Sequence, residues 1–222
     1  MVSTLVHVAL AGFIAAALLG DRFGPKPLAV VLGAVILVDF DTFLGLYIEG
    51  AHRAAFHTLL LPVVLGSVIA VDTRYREQSI LRERFGDGSP RVAWVTVVAI
   101  LFAGIGPDLF FNGVNLFYPI HDQFYQLTGQ MKLSSTDGFV QTFVDLSPAE
   151  TGGNGGGKVA VGSTNEVGDR YYTGVDPQPS EPGAESGETE RTFPLVTSGE
   201  QLLLVLTSVF VVGARLFEDR RS

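Results

Sequence analysis

The chain has no cysteine, which excludes both a disulfide framework and a thiolate metal site. Charge is also sparse. Only 17% of the residues are Asp, Glu, Lys or Arg, against roughly 25% in ordinary soluble domains. Hydrophobic residues make up 47%. That balance points to lipid as the solvent for part of the chain. Lysine is nearly missing, with three residues against twelve arginines, and acid exceeds base to give a net charge of −8. A chain that must neutralise phosphates does not carry such a balance, so nucleic-acid binding is excluded. The excess acid lies almost wholly between Ile120 and Glu200, and an acidic, lysine-poor exterior of this halophilic type suits high salt.

What is present is a series of five apolar runs, at about residues 2–19, 27–48, 54–71, 92–111 and 202–217. Most approach the ~20 residues needed to cross a bilayer. The reading is an all-α, polytopic membrane helical bundle of about five transmembrane helices. Three regions follow: a membrane-embedded region 1–120, an external acidic, Gly-rich and largely flexible loop 121–200, and a final helix with its tail, 201–222. Ser198 and Gln201 resemble a capping box opening the last helix. The first run could instead be a signal peptide, but its leading residues carry no Lys or Arg.

Positive charge sets an orientation. The connection 72–91 holds Arg74, Arg76, Arg82, Arg84 and Arg91, which marks it as cytoplasmic. The loop with Arg22 and Lys26 and the tail with Arg220 and Arg221 then fall on the same side. The expected topology in the cell membrane is N-terminus out, C-terminus in. Within the outer segment, residues 112–147 keep aromatic and aliphatic side chains and either lie on the membrane or fold over the helices. Residues 151–192 are Gly-rich, then Pro-, Glu- and Ser-rich. They bury too little apolar surface to offset ordering entropy, so a flexible external loop is expected.

The chemistry concentrates at the outer ends of the helices. His7 lies near the start of the first run, Asp39 and Asp41 in the second, His52, Arg53 and His57 at the turn into the third, and Asp108 late in the fourth. Residue type selected these positions, and Lys/Arg counts elsewhere put them at one depth. A carboxylate inside a membrane helix costs ~2.5–3.5 kcal/mol without a partner. A divalent cation offsets that cost, because imidazole and carboxylate are its ordinary ligands. Asp39 and Asp41 point about 200° apart on a regular helix. Both serve one centre only if the helix loosens there, or if one supports the ligands from behind. His52 and His57 cannot share a helix face, so His52 is placed in the turn.

These residues resemble the YdjM-like family of inner-membrane-bound, metal-dependent hydrolases. The similarity covers roughly residues 1–120. Its most specific element is His-Arg-x-x-x-His-Ser/Thr, present here as His52 to Thr58. Asp39-Phe40-Asp41 matches an Asp-x-Asp, His7 an N-terminal His, Asp108 the Asp of a His-x-x-x-Asp, and Tyr118-Pro119 a Tyr-Pro-like ending. Two positions depart: Gly104 stands where the family has His, and Val38 where it has Pro. The resemblance implies metal-assisted hydrolysis but brings no substrate with it; an entrance on the outer surface makes a lipid or envelope ester or phosphoester a natural one. A divalent metal, zinc first, would be held by His7, Asp39, His57 and Asp108. Asp41 or His52 would be a further ligand or proton-transfer group, and Arg53 would hold an anionic oxygen or pair with an Asp. Gly104, one turn before Asp108, is expected to face the site and leave a gap.

Plainer readings stand beside this one. Asp39 and Asp41 could pair with Arg53 without metal, His7 could be interfacial, and His52 a polar turn residue. Asp108, after Gly106-Pro107, could cap a helix start. His121-Asp122 reads as a surface pair. A non-catalytic metal-binding or structural membrane protein is the alternative class. A transporter ranks below it, because no internal repeat is evident.

Overall fold

The computed structural model of this protein describes residues 3–45, 52–127, 129, 131–136, 138–142, 160–164 and 195–219. The fold is mostly helical. Helix α1 (Thr4–Leu18) buries Ala9, Ala11, Gly12 and Ala15, and such small residues let neighbouring backbones approach closely. Its neighbours are α2 (Pro25–Val38) and α8 (Gly199–Asp219). The fit against α8 is tight: Ser208 donates a hydrogen bond to the Ala9 carbonyl at 2.7 Å. A Cβ added to Gly12 would lie 2.8 Å from Ser208 Oγ and 3.1 Å from Val212. The main core gathers Ala11, Ala15, Leu19, Val31, Val35 and Ala99 between α1, α2 and α6 (Ser89–Ala99).

Among the described residues, three helical stretches are long and apolar enough to cross a membrane: Pro25–Leu44, Ser89–Phe111 and Gly199–Glu218. The first joins α2 to the short α3 (Asp41–Gly45). The second runs from α6 through a π-helical segment (Ile100–Ile105) into α7 (Gly106–Phe111). Two of the five expected spans come out shorter. Helix α1 and α4 (Leu60–Arg74) have 15 residues each, about 22 Å of helix at 1.5 Å per residue. The run beginning at residue 54 is shortened because His52–Leu59 is spent on a turn that carries side chains to the site. At the other end of α1, Gly20 takes φ +57, a left-handed conformation open to glycine. There Arg91 Nε donates to the Leu18 carbonyl at 2.9 Å and Arg215 to the Gly20 carbonyl at 3.2 Å. Two cations thus cover the negative end of the helix. Helix α5 (Ile80–Phe85) sits in the Arg-rich connection, with Ser79 as its N-cap.

At the opposite end, residues 112–127 fold over the helices rather than lying apart from them. Val114 and Tyr125 exchange backbone hydrogen bonds at 2.9 and 2.8 Å, and the Leu127 N–H reaches the Leu109 carbonyl at 2.8 Å. Phe124 is fully buried against Ala54, with Tyr118 alongside. Four short strands amend the all-α expectation. Strand β1 (Phe124–Tyr125) pairs antiparallel with β4 (Ala160–Gly162), and β2 (Met131–Ser134) with β3 (Gly138–Gln141). The segment 160–164, expected to be part of a flexible loop, is therefore docked. Its short apolar stretch is masked in the composition by the glycines before it. The rest of the expected flexible stretch, residues 46–51 and the tail residues Arg220 and Arg221 lie outside the described residues. Ser198 Oγ accepts from the Gln201 N–H at 3.3 Å. The Gln201 side chain closes its half of the cap on Thr197 instead of Ser198.

Candidate metal centre

Each ligand-type side chain is delivered by a local irregularity that the sequence dictates. Helix α2 stops at Val38, and Asp39 is its C-cap. The chain then tightens into successive i→i+3 bonds, Asp39 to Ile36, Phe40 to Leu37, Thr42 to Asp39 and Phe43 to Phe40, at 3.0–3.2 Å. Asp39 and Asp41 therefore do not share one centre. A carboxylate at a helix C-terminus is disfavoured by the helix dipole, so Asp39 stands where a cation is needed.

His7 is placed by a proline. Pro107 has no N–H and cannot bond to the carbonyl four residues before it, that of Ala103. His7 Nδ1 takes that carbonyl at 2.6 Å. A carbonyl only accepts, so Nδ1 carries the proton and Nε2 is turned inward. Nε2 lies 3.5 Å from Asp108 Oδ2 and 3.9 Å from Asp39 Oδ1. His57 is set the same way by a carboxylate. Its Nδ1 donates to Asp41 Oδ2 at 2.7 Å. Its Nε2 faces the same two oxygens, 3.1 Å from Asp108 Oδ2 and 3.5 Å from Asp39 Oδ1.

The result is two carboxylate oxygens, Asp39 Oδ1 and Asp108 Oδ2, each within 3.9 Å of both imidazole Nε2 atoms. His7, Asp39 and Asp108 each offer a ligand atom, all within 4.8 Å of one another. His57 Nε2 is buried and makes no hydrogen bond, although two oxygens lie within reach. With both Nδ1 atoms protonated, a neutral ring would set its Nε2 lone pair against carboxylate oxygens, which repel, whereas a doubly protonated ring would pair with them. A cation at the centre removes that repulsion. Metal–ligand bonds of about 2.0–2.1 Å give a tetrahedral edge of about 3.3–3.4 Å, and the four N···O separations run from 3.1 to 3.9 Å.

Support residues stand behind the ligands. Asp41 is fully buried. It accepts from His57 Nδ1, from the Arg53 N–H at 3.0 Å and, on its other oxygen, from His52 Nδ1 at 3.2 Å. His52 Nδ1 also meets Thr42 Oγ1 at 3.0 Å. Burial pushes the His52 imidazole below its ordinary pKa, against the pull of Asp41. Arg53 holds φ +61, uncommon for a residue with a side chain. That strained geometry aims its N–H at Asp41. Its carbonyl accepts from the Asn115 N–H at 3.0 Å, and its Nη1 approaches the Asn112 carbonyl at 3.5 Å.

Comparison with known proteins finds no matching family model, no similar curated protein and no similar solved structure. The site therefore speaks through its geometry alone.

Of the seven residues singled out from sequence, the structure gathers His7, Asp39 and Asp108 into one group, with His57 Nε2 facing the same two carboxylates. It sets Asp41, His52 and the Arg53 backbone behind them. His121 is exposed, against Tyr125 and away from the cluster. Gly104 differs from expectation. A Cβ there would meet the Val38 side chain at 3.6–3.7 Å, so Val38 fills the space expected to be a gap. Two supports were missed. Asn112 Nδ2 donates to Asp108 Oδ1, leaving Oδ2 to face the histidines. Buried Asn115 ties the Arg53 carbonyl to Asp122, its Nδ2 donating to Asp122 Oδ1 at 2.6 Å. The i,i+4 spacing of Asp108 and Asn112 was the available signal. Asp122 also accepts from the Thr164 N–H at 3.1 Å and from its hydroxyl. Burial raises its pKa, but these hydrogen bonds outweigh burial and hold the carboxyl below its usual range.

Proposed function

We propose that this chain is a membrane-bound, metal-dependent hydrolase. The observation that carries the reading is the inward-facing, hydrogen-bond-free Nε2 of buried His57, set against the two carboxylates that His7 also faces. His7, Asp39, His57 and Asp108 would hold the ion, zinc first, since two imidazoles and two carboxylates are ordinary zinc ligands. A divalent ion there lowers the pKa of its water toward neutrality and polarises a carbonyl or phosphoryl group. The residues do the rest. Ala103 and Asp41 fix the histidine tautomers, Asn112 orients Asp108, and His52 stands on Asp41 for proton transfer. Arg53 is the candidate for an anionic substrate oxygen. In hydrolysis the water oxygen bonds to the carbonyl carbon or phosphorus. The bond from that atom to the leaving oxygen breaks, and the leaving oxygen takes a proton.

The reading includes five helices in the cell membrane, with α1 and α4 as short members, N-terminus out and C-terminus in. It includes the YdjM-like resemblance, supported by the residues from His7 to Pro119 quoted above. A specific observation favours the alternative, a metal-binding protein without catalysis. The position of the family's missing histidine, Gly104, is packed by Val38. Turnover separates the two. Purified protein should cleave some member of a phosphoester, carboxyl-ester and amide panel, lose activity to a chelator, and regain it with zinc. Metal binding without turnover on any class would favour the alternative.

A further inference from the structure

The centre is closed unevenly. His7, His57 and Asp108 have side chains 2%, 1% and 5% exposed, whereas Asp39 is 13% exposed. Asp39 is therefore where the cluster meets its surroundings. Toward the 112–127 cap the site is sealed by backbone. The Leu59 N–H and the Thr58 hydroxyl both donate to the Leu116 carbonyl, at 2.8 and 3.1 Å. Asn115 is bonded to Arg53, and Val114, Asn115 and Phe124 are fully buried. No comparable seal is present beside Asp39 among the described residues. Its sequence neighbours are apolar and exposed: Leu37 at 60%, Phe40 at 47% and Phe43 at 43%. Phe40 and Phe43 pair with ring centroids 5.5 Å apart. These residues belong to Pro25–Leu44, one of the stretches able to cross a membrane. The surface they offer is fit for lipid.

We propose that the centre opens sideways into the bilayer beside Asp39, and that its substrate is an amphiphile. The tail stays among lipid chains next to Leu37, Phe40 and Phe43, and the scissile head-group bond is presented to the ion. This rests on the metal reading above and names the route and substrate class for that site. Two carboxylates balance one divalent ion, so the loaded centre is near neutral and accepts either an uncharged ester or an anionic oxygen. A water-soluble head group without a tail would have to cross an apolar rim.

The test uses the full chain, loaded with zinc, in vesicles of uncharged phosphatidylcholine. Zinc loss is timed with bathophenanthroline, which enters lipid, and with its disulfonate, which has the same chelating head but stays in water. Its charge keeps the disulfonate out of the hydrocarbon, so the lipid-soluble form should strip the ion faster by more than about tenfold. Phe40→Lys should narrow that gap, and in ester series with a fixed head group kcat/KM should rise with tail length. Equal stripping rates, or faster loss to the disulfonate, would overturn the sideways opening and leave the metal site standing. Protein that holds no zinc to strip would overturn the metal reading and this inference together.

Discussion

Asp41→Asn separates a support role from a ligand role. The carboxylate accepts from His57 Nδ1 at 2.7 Å, His52 Nδ1 at 3.2 Å and the Arg53 N–H at 3.0 Å. An asparagine has the same shape and keeps one oxygen for His57 and Arg53, while its amide turns toward His52 and Thr42. The fold should lose only about 1–2 kcal/mol, the difference between hydrogen bonds to a charged and to a neutral acceptor. Metal affinity should fall about 10–100-fold, because the partner that fixes the tautomer and basicity of a ligand histidine is weakened. Asp41→Ala is the harsher control. It orphans the buried Arg53 N–H and His57 Nδ1–H, at about 1–3 kcal/mol each, so stability should drop with affinity. The assay is competition with a chromophoric chelator, paired with thermal unfolding of metal-free protein. If Asp41→Asn binds zinc as tightly as the parent, Asp41 does not set His57, and the hydrogen-bond argument for an inward Nε2 fails.

Other outcomes follow from single contacts. Pro107→Ala returns an N–H to compete for the Ala103 carbonyl, so metal binding should weaken while unfolding temperature holds or rises. Gly12→Ala should cost about 1–3 kcal/mol by forcing α1 from α8, whereas Gly104→Ala should be neutral or stabilising, since its Cβ meets Val38 at ordinary contact distance. Asp122 has a folded pKa below its unfolded value of about 3.9. Its contribution is therefore full above that pH and fades as pH falls toward the folded pKa; proteolysis near residue 164 should increase only in acid. For topology, a cysteine at Ser180 should react with an impermeant thiol reagent in intact cells and one at Gln78 should not; the reverse pattern would invert the orientation.

The helices were legible because apolar runs bounded by Gly, Pro and Arg survive any context. The ligand residues were legible because His and Asp are conspicuous in apolar helices. What stayed hidden depends on backbone breaks. The turn was legible at His52, but nothing local says that it runs on to Leu59, since Ala54, Ala55 and Phe56 read as helix; the turn is held by Asp41 and by the Leu116 carbonyl. Asp41 read as a further ligand or proton-transfer group; its place behind His57 depends on the i→i+3 turn that separates it from Asp39. Gly104 looked like a gap because sequence gives no hint that Val38, on another helix, packs against it. The docking of residues 160–164 rests on Thr164 meeting Asp122 across 42 residues, beyond any local pattern.

The central claim is that His7, Asp39, His57 and Asp108 hold one divalent ion. The direct test is zinc X-ray absorption on the purified full chain after dialysis. The account requires bound zinc with imidazole scattering from two histidines and carboxylate oxygens at about 2.0–2.2 Å, lost in His57→Ala and kept in His121→Ala. A chain that binds no zinc at saturating metal, or whose zinc signal is unchanged in His57→Ala, would contradict it.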